Sequence, residues 1–430
     1  MNNFVLKSVV LADGSQCDIE VADGRISNIG ENLSSPDEID CRGLIALPGF
    51  VDLHTHLREP GYEASETVLT GSQSAALGGF TAVHAMANTN PVADSAGVVE
   101  QVASLGQAAG YVDVFPIGAV TNGLEGKQLA ELGAMANSRA QVKVFSDDGK
   151  CVSDPLLMRR ALEYVKAFGG VIAQHAQEPR LTEGAQLNAG KVSSELGLAG
   201  WPAVAEESII ARDVLLAEAV GSRIHICHLS TKGSVEIVRW AKSRGINVTA
   251  EVTPHHLLLT DELARTYDPI YKVNPPLRTQ SDVEALREAL IDGTIDIIAT
   301  DHAPHPIESK ECEWNAAAFG MVGLEIAASV AQLVLIESGK SNWSRMAEVL
   351  SSNPAAIGQD NDHGQIAVGA VANIALVDPK ASRKIQRATA SKSVNNPYVN
   401  RDLPGAVVHT IYKGKFTVLD GVLQKKEELA

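Results

Sequence analysis

Eight times between Phe50 and about Ser338 the sequence repeats one cycle. A short apolar stretch rich in β-branched residues gives way to a longer one whose apolar positions recur at the helical period. The predicted strands are Val51–His56, Thr81–Ala87, Val112–Ala119, Val142–Ser146, Val171–His175, Ile224–His228, Val248–Val252 and Ile295–Thr300. The helical runs fall at about 65–77, 95–108, 127–136, 154–167, 203–219, 231–243, 281–291 and 323–338. A strand followed by a helix, eight times over roughly 250 residues or more, predicts an α/β chain whose parallel strands close into a (β/α)8 TIM-like barrel. An open doubly wound sheet is the alternative, but no Gly-x-Gly-x-x-Gly follows a first strand.

The ends of the chain follow a different rule. Short alternating stretches with Asp13-Gly14 and Asp23-Gly24 turns fill the first 50 residues, which predicts hairpins. Similar stretches return at Gly364–Asp378 and Val407–Leu419. Neither end can bury a core alone. The expected organisation is therefore a discontinuous small β domain, 1–50 with 364–430, beside a barrel at 51–363. Two long connections, about 177–202 and 254–280, follow the fifth and seventh strands, on the face where barrels do chemistry.

The polar residues at the strand ends carry the chemistry. In Gly49-Phe50-Val51-Asp52-Leu53-His54-Thr55-His56-Leu57-Arg58, alternation puts His54, His56 and Arg58 on one side. Two imidazoles on one face can chelate a divalent metal, and the arginine beyond them can hold an anion. The second strand runs out through Asn88-Thr89-Asn90-Pro91 and the fourth through Ser146-Asp147-Asp148-Gly149. The fifth ends at His175, the sixth at His228, and the eighth at Thr300-Asp301-His302-Ala303-Pro304-His305. One buried histidine is readily structural; five metal-ligating residues at equivalent barrel positions are not.

Two of these stretches, Asp52-Leu53-His54-Thr55-His56-Leu57-Arg58-Glu59-Pro60-Gly61 and Ala299-Thr300-Asp301-His302-Ala303-Pro304-His305, resemble the amidohydrolase superfamily, and within it the bacterial dihydroorotases. The order of ligands spans nearly the whole barrel, and the β domain built from both termini is similar too. The resemblance implies a hydrolase with two bridged Zn2+ ions. His54, His56 and Asp301 would hold one and His175 and His228 the other, with a bridging hydroxide between. It further implies reversible hydrolysis of the cyclic amide of dihydroorotate to carbamoyl aspartate, with Arg58, Asn88 and His305 on the ring carboxylate and Asn274 at the ring edge. Asp301 is the expected proton shuttle, with His305 the competing candidate. The protein bridge is expected at Asp148, with a carbamylated Lys143 as the alternative and Asp147 as a lesser one. The stretch around Phe319-Gly320-Met321 is a candidate for pocket closure. His255, His256 and His302 are expected to be supporting or structural, and Cys227 to pack as a small apolar group.

A net charge of −16 argues against nucleic acid or an anionic membrane as the main partner. No stretch approaches the ~20 apolar residues of a membrane-spanning helix. Five scattered cysteines and the lack of a signal-like start predict reduced thiols in a cytoplasmic protein. Two rivals stand beside the hydrolase reading. One is a hydantoinase or allantoinase acting on a related ring. The other is an inactive scaffold for another pyrimidine enzyme, from which ligands should have been lost. The partners expected besides the small-molecule substrate are a second copy of the chain, as a homodimer, and aspartate transcarbamoylase.

Overall fold

A computed structural model describes residues 3–387 and 389–428. Its centre is a ring of eight parallel strands: β1 Phe50–Thr55, β2 Phe80–Ala85, β3 Asp113–Pro116, β4 Val144–Phe145, β5 Val171–Gln174, β6 Ile224–Ile226, β7 Val248–Val252 and β8 Ile297–Ile298. Neighbours pair in order from β1 to β3 and from β4 to β8. Single parallel bridges, Gly118 to Phe145 and Thr55 to His302, join β3 to β4 and close β8 onto β1. Each predicted strand is present, and the polar residues lie at or just past the strand ends, so the barrel reading holds.

Local chemistry explains where the elements begin. The helix Pro155–Lys166 opens with proline in its first turn and the Asp154 carboxylate accepting from Leu157 N–H. The helix Gln280–Asp292 opens with a reciprocal cap between Thr279 and Asp282 and stops at Gly293. In Lys232–Ser243 the residues Val235, Val238 and Ala241 face the barrel; each buried valine contributes about 1.5–3 kcal/mol. Gly49 lets the chain enter β1, because a Cβ there would collide with the Thr81 side chain.

Two helical runs depart from expectation. Only Leu132–Ala136 of the run at 127–136 is helical, because an antiparallel bridge from Thr121 to Leu129 claims its first residues. The run at 323–338 is α-helical over Ala327–Gln332 and then widens to a π-helical turn, Leu333–Glu337.

The two ends of the chain meet in one nine-stranded sheet. Ile45–Pro48 pairs antiparallel with Ile374–Val377 and parallel with Val10-Leu11. Beneath it Phe4, Leu6, Ile19, Val21 and Ile26 pack against Ala372, Ile374, Leu376 and Ile411. Asp113 ties this sheet to the barrel, accepting from Tyr412 Oη at 2.8 Å and Lys413 Nζ at 2.7 Å and meeting His363 Nε2 at 3.1 Å. Residues 389–401 lie at the site end of the barrel, where Asn395 Nδ2 donates to Ala303 O at 2.9 Å. Among the described residues no helix is long and apolar enough to cross a membrane.

Candidate metal centre

The predicted ligands converge on one carboxylate. Asp148 Oδ1 lies 3.3 Å from His54 Nε2, 3.1 Å from His175 Nδ1 and 3.3 Å from His228 Nε2, and Oδ2 lies 3.2 Å from His56 Nε2. Asp301 Oδ1 stands beside the first pair, 3.4 Å from His54 Nε2 and 3.1 Å from His56 Nε2. All six side chains are buried. Left-handed backbone at His228 (φ 32°) and Asp301 (φ 46°) turns both residues as they leave β6 and β8. Such conformations cost of order 1–3 kcal/mol and persist where the surroundings over-determine them. For Asp301 the surroundings are Asp52, whose buried carboxylate accepts from Thr300 N–H at 3.0 Å and Thr300 Oγ1 at 2.5 Å.

The other nitrogen of three of the four histidines is fixed from outside the cluster. His54 Nδ1 meets Glu251 Oε1 at 2.6 Å, His56 Nδ1 meets Asn88 Oδ1 at 2.9 Å, and His175 Nε2 meets Gln177 Oε1 at 2.7 Å. Those oxygens can only accept, so these nitrogens donate and the inward nitrogens present lone pairs. His54 Nε2 then has no hydrogen-bond partner, and His175 Nδ1 faces His228 Nε2 across 2.8 Å. Lone pairs aimed at one another and at two carboxylates are what a cation resolves, and imidazole with carboxylate is a zinc-type donor set. The residues present fit a divalent metal. Among the described residues three groups of potential ligands are preformed: His54 with His56 and Asp148, Asp148 with His175 and His228, and His54 with Cys227 and Glu251.

The acids of the cluster call for positive charge at the same place. Burial opposes charge on His54, yet Asp148, Glu251 and Asp301 raise its pKa well above the ordinary value. Burial likewise opposes charge on Asp301, but His54 and His56 hold its carboxyl down at about 2. Asp148 is held well below the usual range, against burial, by His54, His175 and His228.

Among the three candidate bridges, only Asp148 reaches the cluster. Lys143 lines a cleft elsewhere, with Gln359, Asp360 and His363. Asp147 accepts from Val120 N–H at 2.8 Å, Thr121 N–H at 3.0 Å and the Thr121 hydroxyl, which makes it a loop anchor. Cys227 packs with Met86, Ile117, Val144, Val171 and Ala173. Its thiol also approaches His54 and Glu251, but burial pushes its pKa up, so it remains a protonated filler.

Arg58, Asn88, Asn274 and His305 are all half-buried. Arg58 makes no ion pair among the described residues; its Nε donates to Pro304 O at 3.2 Å. Neither nearby glutamate binds it, since Glu59 accepts from Val68 N–H and Glu63 from Gly61 N–H. Asn88 spends its oxygen on His56. Asn274 Nδ2 donates to Gln177 Oε1 at 3.1 Å and leaves its own oxygen buried without a partner. Burial and then Arg58 push the His305 pKa down to about 3, so the ring is neutral and its Nε2–H donates to Phe319 O at 2.7 Å. His302 is structural: Nε2 lies 3.3 Å from Glu66, and Nδ1 accepts from Gly323 N–H at 3.2 Å. His256 bridges Thr253 and Pro275.

Glu251 and Gln177 escape the sequence reading. Glu251 also accepts from His225 Nε2 at 2.9 Å and from His228 N–H at 3.1 Å. Its one visible signal is an acid within the otherwise uncharged strand Val248–Val252.

Against known proteins, a family model described as Dihydro-orotase-like matches residues 43–234. A dihydroorotase of Leifsonia xyli is 67% identical over 98% of this chain and 97% of its own length. The dihydroorotase of Mycobacterium tuberculosis is 54% identical, covering 96% of this chain and 97% of its own. Among solved structures, the L-hydantoinase (dihydropyrimidinase) of Arthrobacter aurescens superposes with a TM-score of 0.87 at 24% identity, covering 99% of this chain and 98% of its own, which is a likeness of fold.

Proposed function

The chain belongs to the dihydroorotase family and catalyses the reversible hydrolysis of the cyclic amide of (S)-dihydroorotate to N-carbamoyl-L-aspartate in pyrimidine biosynthesis; we propose that the side chains around Asp148 and Asp301 divide that work as follows. Two Zn2+ ions, held by His54, His56 and Asp301 on one side and His175 and His228 on the other with Asp148 between, would acidify the attacking water and polarise the ring carbonyl.

Asp301 is the proton shuttle. With its pKa held down at about 2 it is ionised at neutral pH. It takes the proton from the water that attacks the carbonyl carbon. As the C–N bond breaks, it returns that proton to the ring nitrogen. The clamp of Thr300 on Asp52 holds its backbone through both transfers. His305 is the weaker candidate, because its Nε2 proton is committed to Phe319 O.

Arg58 grips the ring carboxylate, its planar fork being unclaimed by any acid of the described chain. The amide nitrogen of Asn88 adds a donor while its oxygen stays on His56. The partnerless oxygen of Asn274 accepts a ring N–H. His305, neutral, completes the pocket beside Arg58. A half-buried arginine without an ion pair among the described residues suits a ring that carries a carboxylate, and this favours dihydroorotate over the rings of a hydantoinase or allantoinase.

The observation that carries the reading is the convergence of four imidazoles on Asp148 with Asp301 beside them. Turnover of dihydroorotate and hydantoin side by side, with metal content measured on the same preparation, tests it. Preference for hydantoin, or full activity after chelation, overturns it. Two partners follow from the family resemblance, a second copy of the chain and aspartate transcarbamoylase. Sedimentation of the purified protein alone and with that enzyme tests both.

A further inference from the structure

Two loops carry substrate residues: the one after β7 bears Asn274 and the one after β8 bears His305. Between them lies Lys310, 5% exposed and paired with no acid among the described residues. Its Nζ donates to Lys272 O at 3.0 Å, Ala318 O at 2.9 Å and Gly320 O at 3.0 Å. An ammonium has three N–H donors and no acceptor, and here each finds a backbone carbonyl. Burying a cation without a counter-charge is costly, and burial with Lys272 beside it brings the Lys310 pKa down to about 7. An apolar residue would fill the space at less cost, so the charge serves the joint it makes.

Each carbonyl belongs to the wall of the site. Lys272 stands two residues before Asn274, and its oxygen also accepts from Gly320 N–H at 3.0 Å. Ala318 precedes Phe319, the acceptor for His305 Nε2. Gly320, at φ 146°, leaves room for the histidine: a Cβ there would stand 2.8 Å from His305 Nε2 and 2.9 Å from Ala303 O. Lys272 reinforces the joint from the other side, its Nζ donating to Trp314 O at 2.7 Å and lying 4.4 Å from the centre of the Phe319 ring. Asn395 closes it, accepting from His305 N–H at 3.2 Å and donating to Gly320 O at 3.2 Å.

The geometry points to Lys310 as a positioning residue for substrate binding: by gathering three carbonyls from two loops it sets the separation of Asn274 and His305. The inference rests on the assignment of Arg58, Asn274 and His305 to the substrate. It predicts a defect in binding, not in the chemical step, because Asp148 and the histidine cluster stand on other elements and the turn at Asp301 is held separately, by Thr300 on Asp52.

Steady-state kinetics of the metal-loaded protein test it, with bound metal measured alongside. Lys310→Met should raise KM for dihydroorotate by roughly tenfold or more, since small misplacements of binding groups are expensive, while kcat and metal content stay within about threefold. If the methionine variant does not fold, Lys310→Gln, which keeps two N–H donors, carries the same readouts. KM within about twofold of wild type, a fall in kcat at unchanged KM, or failure of both variants to fold overturns the proposal. Arg58→Lys separates this outcome from failure of the substrate assignment. An unchanged KM in that variant removes the assignment and the proposal together. A raised KM there, with an unchanged KM in Lys310→Met, removes the role of Lys310 alone.

Discussion

Glu251 Oε1 lies 2.6 Å from His54 Nδ1, and the same carboxylate holds His225 and the backbone of His228. One buried acid thus fixes the orientation of a histidine from β1 and the turn that presents another from β6. Glu251→Gln keeps the shape but removes the charge and one acceptor. Metal affinity should fall by about 10–100-fold, the usual cost of losing a ligand's outer partner. Titration of the chelated protein with Zn2+ measures it.

The bridge is decided by a pair of variants. Asp148→Ala should lose metal and activity, while Lys143→Ala should keep both, because the lysine lines a cleft with Gln359, Asp360 and His363. Metal content reads the difference directly. A lysine variant without metal and an aspartate variant with it would reverse the assignment.

Much of this site was legible because strand alternation is a strict rule. His54 and His56 fall on one face by their spacing alone, whereas the choice of Asp148 over Asp147 rests on the family resemblance of Ser146-Asp147-Asp148-Gly149, since both lie past the end of β4. The fold was legible for a similar reason: eight repeats of one pattern leave few closures. Glu251, Gln177 and Lys310 stayed hidden because each acts on a residue from another element, and no periodicity marks such a contact. The run at 127–136 misled because its helical period is genuine but a bridge between Thr121 and Leu129 outweighs it.

Substrate anchoring has a kinetic signature. Arg58→Lys keeps the charge and loses the planar fork, so KM for dihydroorotate should rise by roughly 10–100-fold, the worth of a charge-assisted hydrogen bond. Metal content should not change. Wild-type KM would place the arginine outside the pocket.

Asp113 should make the joint between sheet and barrel acid-sensitive. Burial raises its pKa, but His363 and Lys413 outweigh that and bring it to about 2, from 3.8 in the unfolded chain. A lowered folded-state pKa means stability that is complete above pH 3.8 and is lost as pH falls through about 2. Its size is about 2 kcal/mol. Asp113→Asn should therefore cost about that much at pH 7 and progressively less below pH 3.8, as denaturant melts of both proteins across pH would show.

Asp301→Asn shows whether Asp301 moves the proton. Its hydrolysis of dihydroorotate should be followed with metal content measured on the same sample. An amide cannot accept the water's proton, so kcat should fall by about 10²–10⁴-fold in protein that remains folded and retains metal. Near wild-type turnover with metal bound would pass the shuttle to another group, His305 first.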